Sequence, residues 1–191
     1  FDGSGTAPWN EDSPTGPLNV YGRTKLEGEE QIRASGCRHL ILRTSWVYAT
    51  RGHNFARTML RLAAERDELK VIDDQHGAPT GADLLADVTS HGGRSVLARP
   101  ELGGTYHCVA AGETTWHGYA RHVIESARGA GQPIRVAPDA VRAVSSAAFP
   151  TPARRPHNSR LATVKLRQAF GLTFPDWRTG VDRMLTEILG R

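Results

Sequence analysis

Asn19-Val20-Tyr21-Gly22-Arg23-Thr24-Lys25-Leu26-Glu27-Gly28 is the stretch on which the fold turns. Pro14 and Pro17 mark a loop before it, and Asn19 is a good N-cap. The spacing predicts a helix running to about Ser35, where Gly36 can end it. On such a helix Tyr21 and Lys25 share a face, one turn apart. An ammonium beside a phenol favours the phenolate, so a tyrosine in this setting can pass a proton to or from a reacting oxygen. Residues 39–43 follow as an apolar run with the length of a buried strand. A ligand in an open parallel sheet lies beyond the carboxyl ends of the strands, which makes the loop 44–53 well placed for binding.

Outward from this unit, strands and helices alternate. Asn54 opens a helix with Phe55, Met59, Leu62 and Ala63 on one face, a core stripe. Residues 69–72 read as a strand, and a helix carrying Leu84, Leu85 and Val88 begins at Thr80 or Gly81. Gly92-Gly93 predicts a break in that helix, because each glycine costs roughly 1 kcal/mol relative to alanine. Residues 104–110 read as a strand. A helix follows with Trp116, Ala120, Val123, Ile124 and Ala127 on its apolar face, and residues 133–136 read as a short strand. Residues 137–160 are rich in Ala, Pro and Ser, and two helices close the chain. The alternation argues an α/β fold with parallel pairing. We expect the second half of a doubly wound, Rossmann-type sheet over residues 1–73. A smaller α/β substrate-binding domain is expected over 74–191, with an interleaved boundary.

Composition narrows the class. Hydrophobic residues at 39% and charged residues at 23% suit an ordinary globular chain. The net charge of +4 suits a substrate carrying a diphosphate. Apart from Arg154-Arg155 the basic residues are scattered, and no nucleic-acid-binding motif occurs, which argues against nucleic acid. No apolar run is long enough to span a membrane. Cys37 and Cys108, far apart and outside any Cys-x-x-Cys, suggest a reducing, cytoplasmic setting, each as a small core hydrophobe. His76, His91, His117 and His122 show no metal-ligand spacing. Trp9, in the Gly- and Pro-rich loop 1–17, is expected to pack locally.

Four blocks carry a resemblance. They are the Asn19–Gly28 stretch, Arg43-Thr44-Ser45-Trp46-Val47-Tyr48, Asp74-Gln75-His76-Gly77-Ala78-Pro79-Thr80, and Pro152-Ala153-Arg154-Arg155-Pro156-His157-Asn158-Ser159. In this order they resemble the extended short-chain dehydrogenase/reductase family and, within it, the dTDP-4-dehydrorhamnose reductases. The resemblance implies hydride transfer from NADPH or NADH to the C4 ketone of dTDP-4-dehydro-L-rhamnose. It makes Tyr21 the proton donor and Lys25 the residue that tunes it and bonds the nicotinamide ribose. Thr44 and Ser45 lie along the nicotinamide, and Trp46 packs on the sugar. Arg154, Arg155 and Asn158 contact the substrate, with the diphosphate as the arginines' natural partner. Gln75, Pro79 and Thr80 either fix a turn or touch the ligand. Some relatives dimerise around Mg²⁺, for which Asp83 and Glu187 are the candidates in a homodimer.

The family's Gly-rich cofactor turn and its catalytic Ser or Thr precede the region matched here. The opening Phe1-Asp2-Gly3 therefore reads as a fragment, expected to be inactive alone. The same broad family holds a non-catalytic relative, the regulatory subunit of methionine adenosyltransferase, and a binding role is the alternative. Trp46 and the 152–159 block beside the Tyr/Lys pair favour the enzyme.

Overall fold

The computed structural model describes residues 1–149 and 153–190; Pro152 of the last sequence block lies outside them. Helix α1 spans Val20–Ala34, and the Asn19 side chain accepts from the Gly22 N–H at its start. Strand β1 (Leu40–Arg43) leads through β2 (Val47–Tyr48) to α2 (Phe55–Glu65) and β3 (Leu69–Ile72). Two short strands, β4 (His76–Gly77) and β5 (Thr80–Gly81), precede α3 (Ala82–Ala98). Strand β6 (Gly104–His107) and β7 (Thr114–Thr115) lead to α4 (Trp116–Gly129). The chain continues through β8 (Val141–Val144), α5 (Val164–Phe170) and α6 (Trp177–Leu189).

Pairing is β1 with β6, β2 with β5 and β3 with β8, all parallel, and β4 with β7 antiparallel. Parallel partners need a crossover, and α3 supplies the one between β1 and β6. The mixed α/β architecture expected from the alternation is therefore present.

Two apolar clusters hold these ladders. The larger joins Met59 and Ala63 of α2, Leu69 and Val71 of β3, Tyr119 and Val123 of α4, and Trp177 and Val181 of α6. The smaller joins Val88 and Val96 of α3, Tyr106 of β6, and Leu166 and Phe170 of α5, with Leu40 and Leu42 of β1 against it. Helix α1 contributes to neither and has no buried residue.

Four local expectations give way. Helix α3 runs unbroken through Gly92-Gly93. A Cβ at Gly92 would lie 2.8 Å from Leu40 Cδ2, so the missing side chain is what lets α3 lie down on β1. The strand expected at 133–136 is absent, because the N–H groups of Arg135 and Val136 both go to the Ala63 carbonyl at the end of α2. The ladder strand is instead β8, inside the Ala-, Pro- and Ser-rich stretch 137–160. Trp9 does stack on Phe1, at 4.9 Å between ring centroids, but its Nε1 also donates to the carbonyl of Asn158 and its backbone bridges Leu161. Cys108 is buried, with its thiol pushed up to about 12 by desolvation, whereas Cys37 is exposed and is no core residue.

Candidate active site

The first group of candidates gathers beyond the carboxyl end of β1. Tyr21 is 71% exposed, and Lys25 Nζ lies over its ring, 5.5 Å from the centroid. Asn19, Tyr21, Lys25, Arg43, Thr44 and Pro156 line one groove of about 310 Å³. Arg43 is matched within the protein, since its Nε and Nη2 donate to Glu29 at 2.9 and 2.7 Å. Burial opposes the charge on Glu29, but the bonds from Arg43 and Arg33 outweigh it and hold the carboxyl below its usual range. With Arg43 neutralised, Lys25 is the cation set directly against the phenol. Ser45, next to Thr44, has a buried Oγ with no protein partner, and it lines neither this groove nor the large cavity. An open phenol, an ammonium and the Thr44 hydroxyl at a strand's carboxyl end fit the nicotinamide part of a dinucleotide.

The second group surrounds a cavity of about 600 Å³ lined by Phe55, Gln75 and Trp116 together with Arg154, Arg155 and His157. Trp46 lies behind Trp116, stacked at 3.9 Å between centroids and 18° between planes. Its backbone takes φ +50°, the only non-glycine in the left-handed region among the described residues. A Cβ at Gly77 would come within 2.9 Å of the Trp46 indole, so a glycine is needed where the ring rests. Trp116 Nε1 donates to Gln75 Oε1 at 3.2 Å, and Phe55 packs on Trp116 at 4.7 Å. The cavity thus pairs flat apolar faces with guanidinium groups, the combination that suits a nucleobase or deoxysugar joined to a phosphate.

The segment 153–159 runs between these two spaces. His157 Nδ1 donates to the Asp74 carbonyl at 2.9 Å. The Asp74 carboxylate accepts from the Ser146 N–H and from the hydroxyls of Ser145 and Ser146. Burial acts against its charge, and these bonds prevail to hold it below the usual carboxylate range. Asn158 is 2% exposed and its amide serves the loop 1–17: Nδ2 donates to the carbonyls of Ser4 and Ala7, and Oδ1 accepts from the Arg160 N–H. Asn158 lines neither space, whereas Arg154 and Arg155 line the large cavity together.

The same loop is held from β6. His107 is fully buried, its N–H donating to Glu11 and its Nδ1 to the Trp9 carbonyl. Desolvation lowers the pKa of its imidazole and keeps it neutral. On the far side, Asp83 pairs with Arg183 at 3.3 Å, and Glu187 shares a small cavity with both. Among the described residues no cluster of three or more His, Cys, Asp or Glu is placed to hold a metal.

Phe55 and Trp116 pack against the larger core, as their stripes predict, but sequence reasoning missed that both also line the cavity. Each is the first residue of its helix. A first-turn side chain stands at the rim of a packed face, and that position is the signal that separates it from the stripe behind.

Parallel ladders with crossover helices, and a phenol–ammonium pair beyond a strand's end, are the architecture of a Rossmann-type α/β protein. The RmlD substrate binding domain family matches residues 1–189, and the chain belongs to that family. It is 58% identical to the dTDP-4-dehydrorhamnose reductase of Shigella flexneri over 188 residues, 98% of this chain and 62% of that protein. A solved dTDP-4-dehydrorhamnose reductase from Clostridium acetobutylicum superposes with a TM-score of 0.85 at 32% identity, covering 100% of this chain and 63% of that one. The Bacillus anthracis reductase in complex with NADP gives 0.80 at 32% identity, covering 98% and 62%. The chain thus spans a little under two thirds of the relatives' length. Among the described residues no helix is long and apolar enough to cross a membrane.

Proposed function

We propose that this chain carries the proton-transfer and sugar-nucleotide-binding parts of an NAD(P)H-dependent dTDP-4-dehydrorhamnose reductase. The observation that carries the reading is the pair of adjoining spaces: the Tyr21–Lys25 groove on one side of segment 153–157 and the aromatic, arginine-lined cavity on the other. A dTDP-hexose has the same two ends, a keto-sugar and a nucleotide diphosphate.

Arg154 and Arg155 take the diphosphate, where planar guanidinium groups can bond bidentately. Phe55 and Trp116 supply faces for the base or the deoxysugar, and Trp46 backs them. Tyr21 donates its proton to the C4 oxygen as negative charge develops there, and Lys25 favours the phenolate that remains. The nicotinamide cofactor, when bound, supplies the hydride. Tyr21, Lys25, Thr44 and Ser45 would hold its nicotinamide end. In this reading residues 1–73 serve mainly the cofactor side and residues 74–191 mainly the substrate side. Chain segments cross between the two, as Trp46 and Pro156 do.

The test is Tyr21→Phe in the full natural chain, followed by NADPH oxidation with the keto-sugar. Loss of the proton donor should cut turnover by roughly 10²–10⁴-fold. The melting temperature and cofactor affinity should stay near wild type, because the phenol is exposed. Turnover within a few fold of wild type would remove Tyr21 from the mechanism.

A further inference from the structure

Asn19 uses both ends of one carboxamide. Its Oδ1 accepts the Gly22 N–H at 2.9 Å and caps α1 two residues before Tyr21. Its Nδ2 donates to the Arg154 carbonyl at 3.0 Å, 135 residues away. We infer that Asn19 is a positioning residue that sets the separation between the proton donor's helix and the arginine segment. The inference rests on the reductase reading above and names a residue that acts through two others.

The placement of Arg154 supports this. Its carbonyl is bound to Asn19 at the groove, while its side chain lines the large cavity. Pro156, two residues on, lines the groove and packs on Gly3, which has φ +74° and no room for a side chain. Helix α1 has no buried residue to fix it by packing. Direct polar ties such as this one therefore count for more in holding it than they would on a buried helix. A substrate held at its diphosphate must place its ketone at the Tyr21 phenol, and one separation serves. Misplacing reacting groups by about 1 Å can cost on the order of 10²-fold in rate.

The test uses the full natural chain with Asn19→Asp and Asn19→Ser. Both keep an acceptor for the Gly22 N–H and remain good caps. Aspartate turns an acceptor toward the Arg154 carbonyl, and serine is too short to reach it. Both variants should melt within a few degrees of wild type, since one exposed hydrogen bond is lost and the cap is kept. Each should lower kcat/KM for the keto-sugar by about five- to tenfold, the equivalent of one hydrogen bond. The Kd for dTDP alone, read by calorimetry, should rise by less, because dTDP does not have to reach Tyr21. An unchanged kcat/KM overturns the inference and leaves the reductase reading in place. An equal loss in dTDP binding also overturns it, since it would mean a loosened segment rather than a lost separation. A wild-type protein that does not turn over the keto-sugar removes the reading and this inference with it.

Discussion

Helices α4 and α1 are of similar length, and they sit in opposite ways. Five residues of α4 are buried, among them Tyr119, Val123 and Ile124, and α2 and α6 press on it from two sides. Helix α1 buries none, and Val20 and Tyr21 stand in solvent at its first turn. The helix that carries the proposed proton donor is thus the one least secured by apolar contact. It is held by a cap, by the Arg43–Glu29 pair and by the Asn19 tie to Arg154. The contrast separates two jobs. Burial supplies the stability of the larger core, and directed polar bonds supply the placement of the chemistry.

That contrast can be broken at several points. The largest stability effect belongs to the dense side. Trp177 is 1% exposed and meets Tyr119 edge to face at 5.8 Å. Trp177→Ala should cost about 3–5 kcal/mol in chemical denaturation. A cost as small as that of an exposed site would show that this cluster is not the source of the stability.

A smaller effect lies where core meets cavity. Gly77→Ala forces a methyl against the Trp46 indole, which is also stacked on Trp116. Overpacking of this kind costs about 1–3 kcal/mol. Tryptophan fluorescence should shift as the stack opens, and dTDP-sugar binding should weaken with it. A stable variant with an unaltered spectrum would mean that the stack has slack.

The smallest effect tests the polar side. The folded state holds the Glu29 carboxyl below its ordinary range. Its stabilisation is therefore complete above the ordinary carboxylate pKa and is lost as pH falls through the lower, folded value. Glu29→Gln should cost about 1–2 kcal/mol near neutral pH. The gap from wild type should close in acid. A pH-independent gap would point to packing, not charge.

Much of this was legible in the residues. Caps declared themselves: Asn19 and Asn54 begin their helices as their side chains predict. The parallel α/β class followed from the alternation of strands and helices. What escaped notice depended on distant neighbours. Gly92 looks like a break until Leu40 is seen beneath it. β8 is strand because β3 lies beside it, not because Val141-Arg142-Ala143-Val144 alternates strongly. Asn158 sits in a block rich in ligand-type residues, yet its amide is taken up by Ser4 and Ala7, about 150 positions earlier. Local pattern cannot reveal a partner that far away. Trp116 lay within reach, since a large aromatic at a helix's first position has less core to meet than one a turn later.

The ties between loop 1–17 and residues 158–162 also set an order of events during synthesis. Trp9, Ser4 and Ala7 find their hydrogen-bond partners 149 to 154 positions downstream. Contacts that distant form late, after nearer ones have closed. While the ribosome is still making the chain, the wall between groove and cavity has no counterpart to dock on. Ligand capture must therefore wait until that late segment has emerged, and the larger core, which needs Trp177 and Val181 of α6, closes later still.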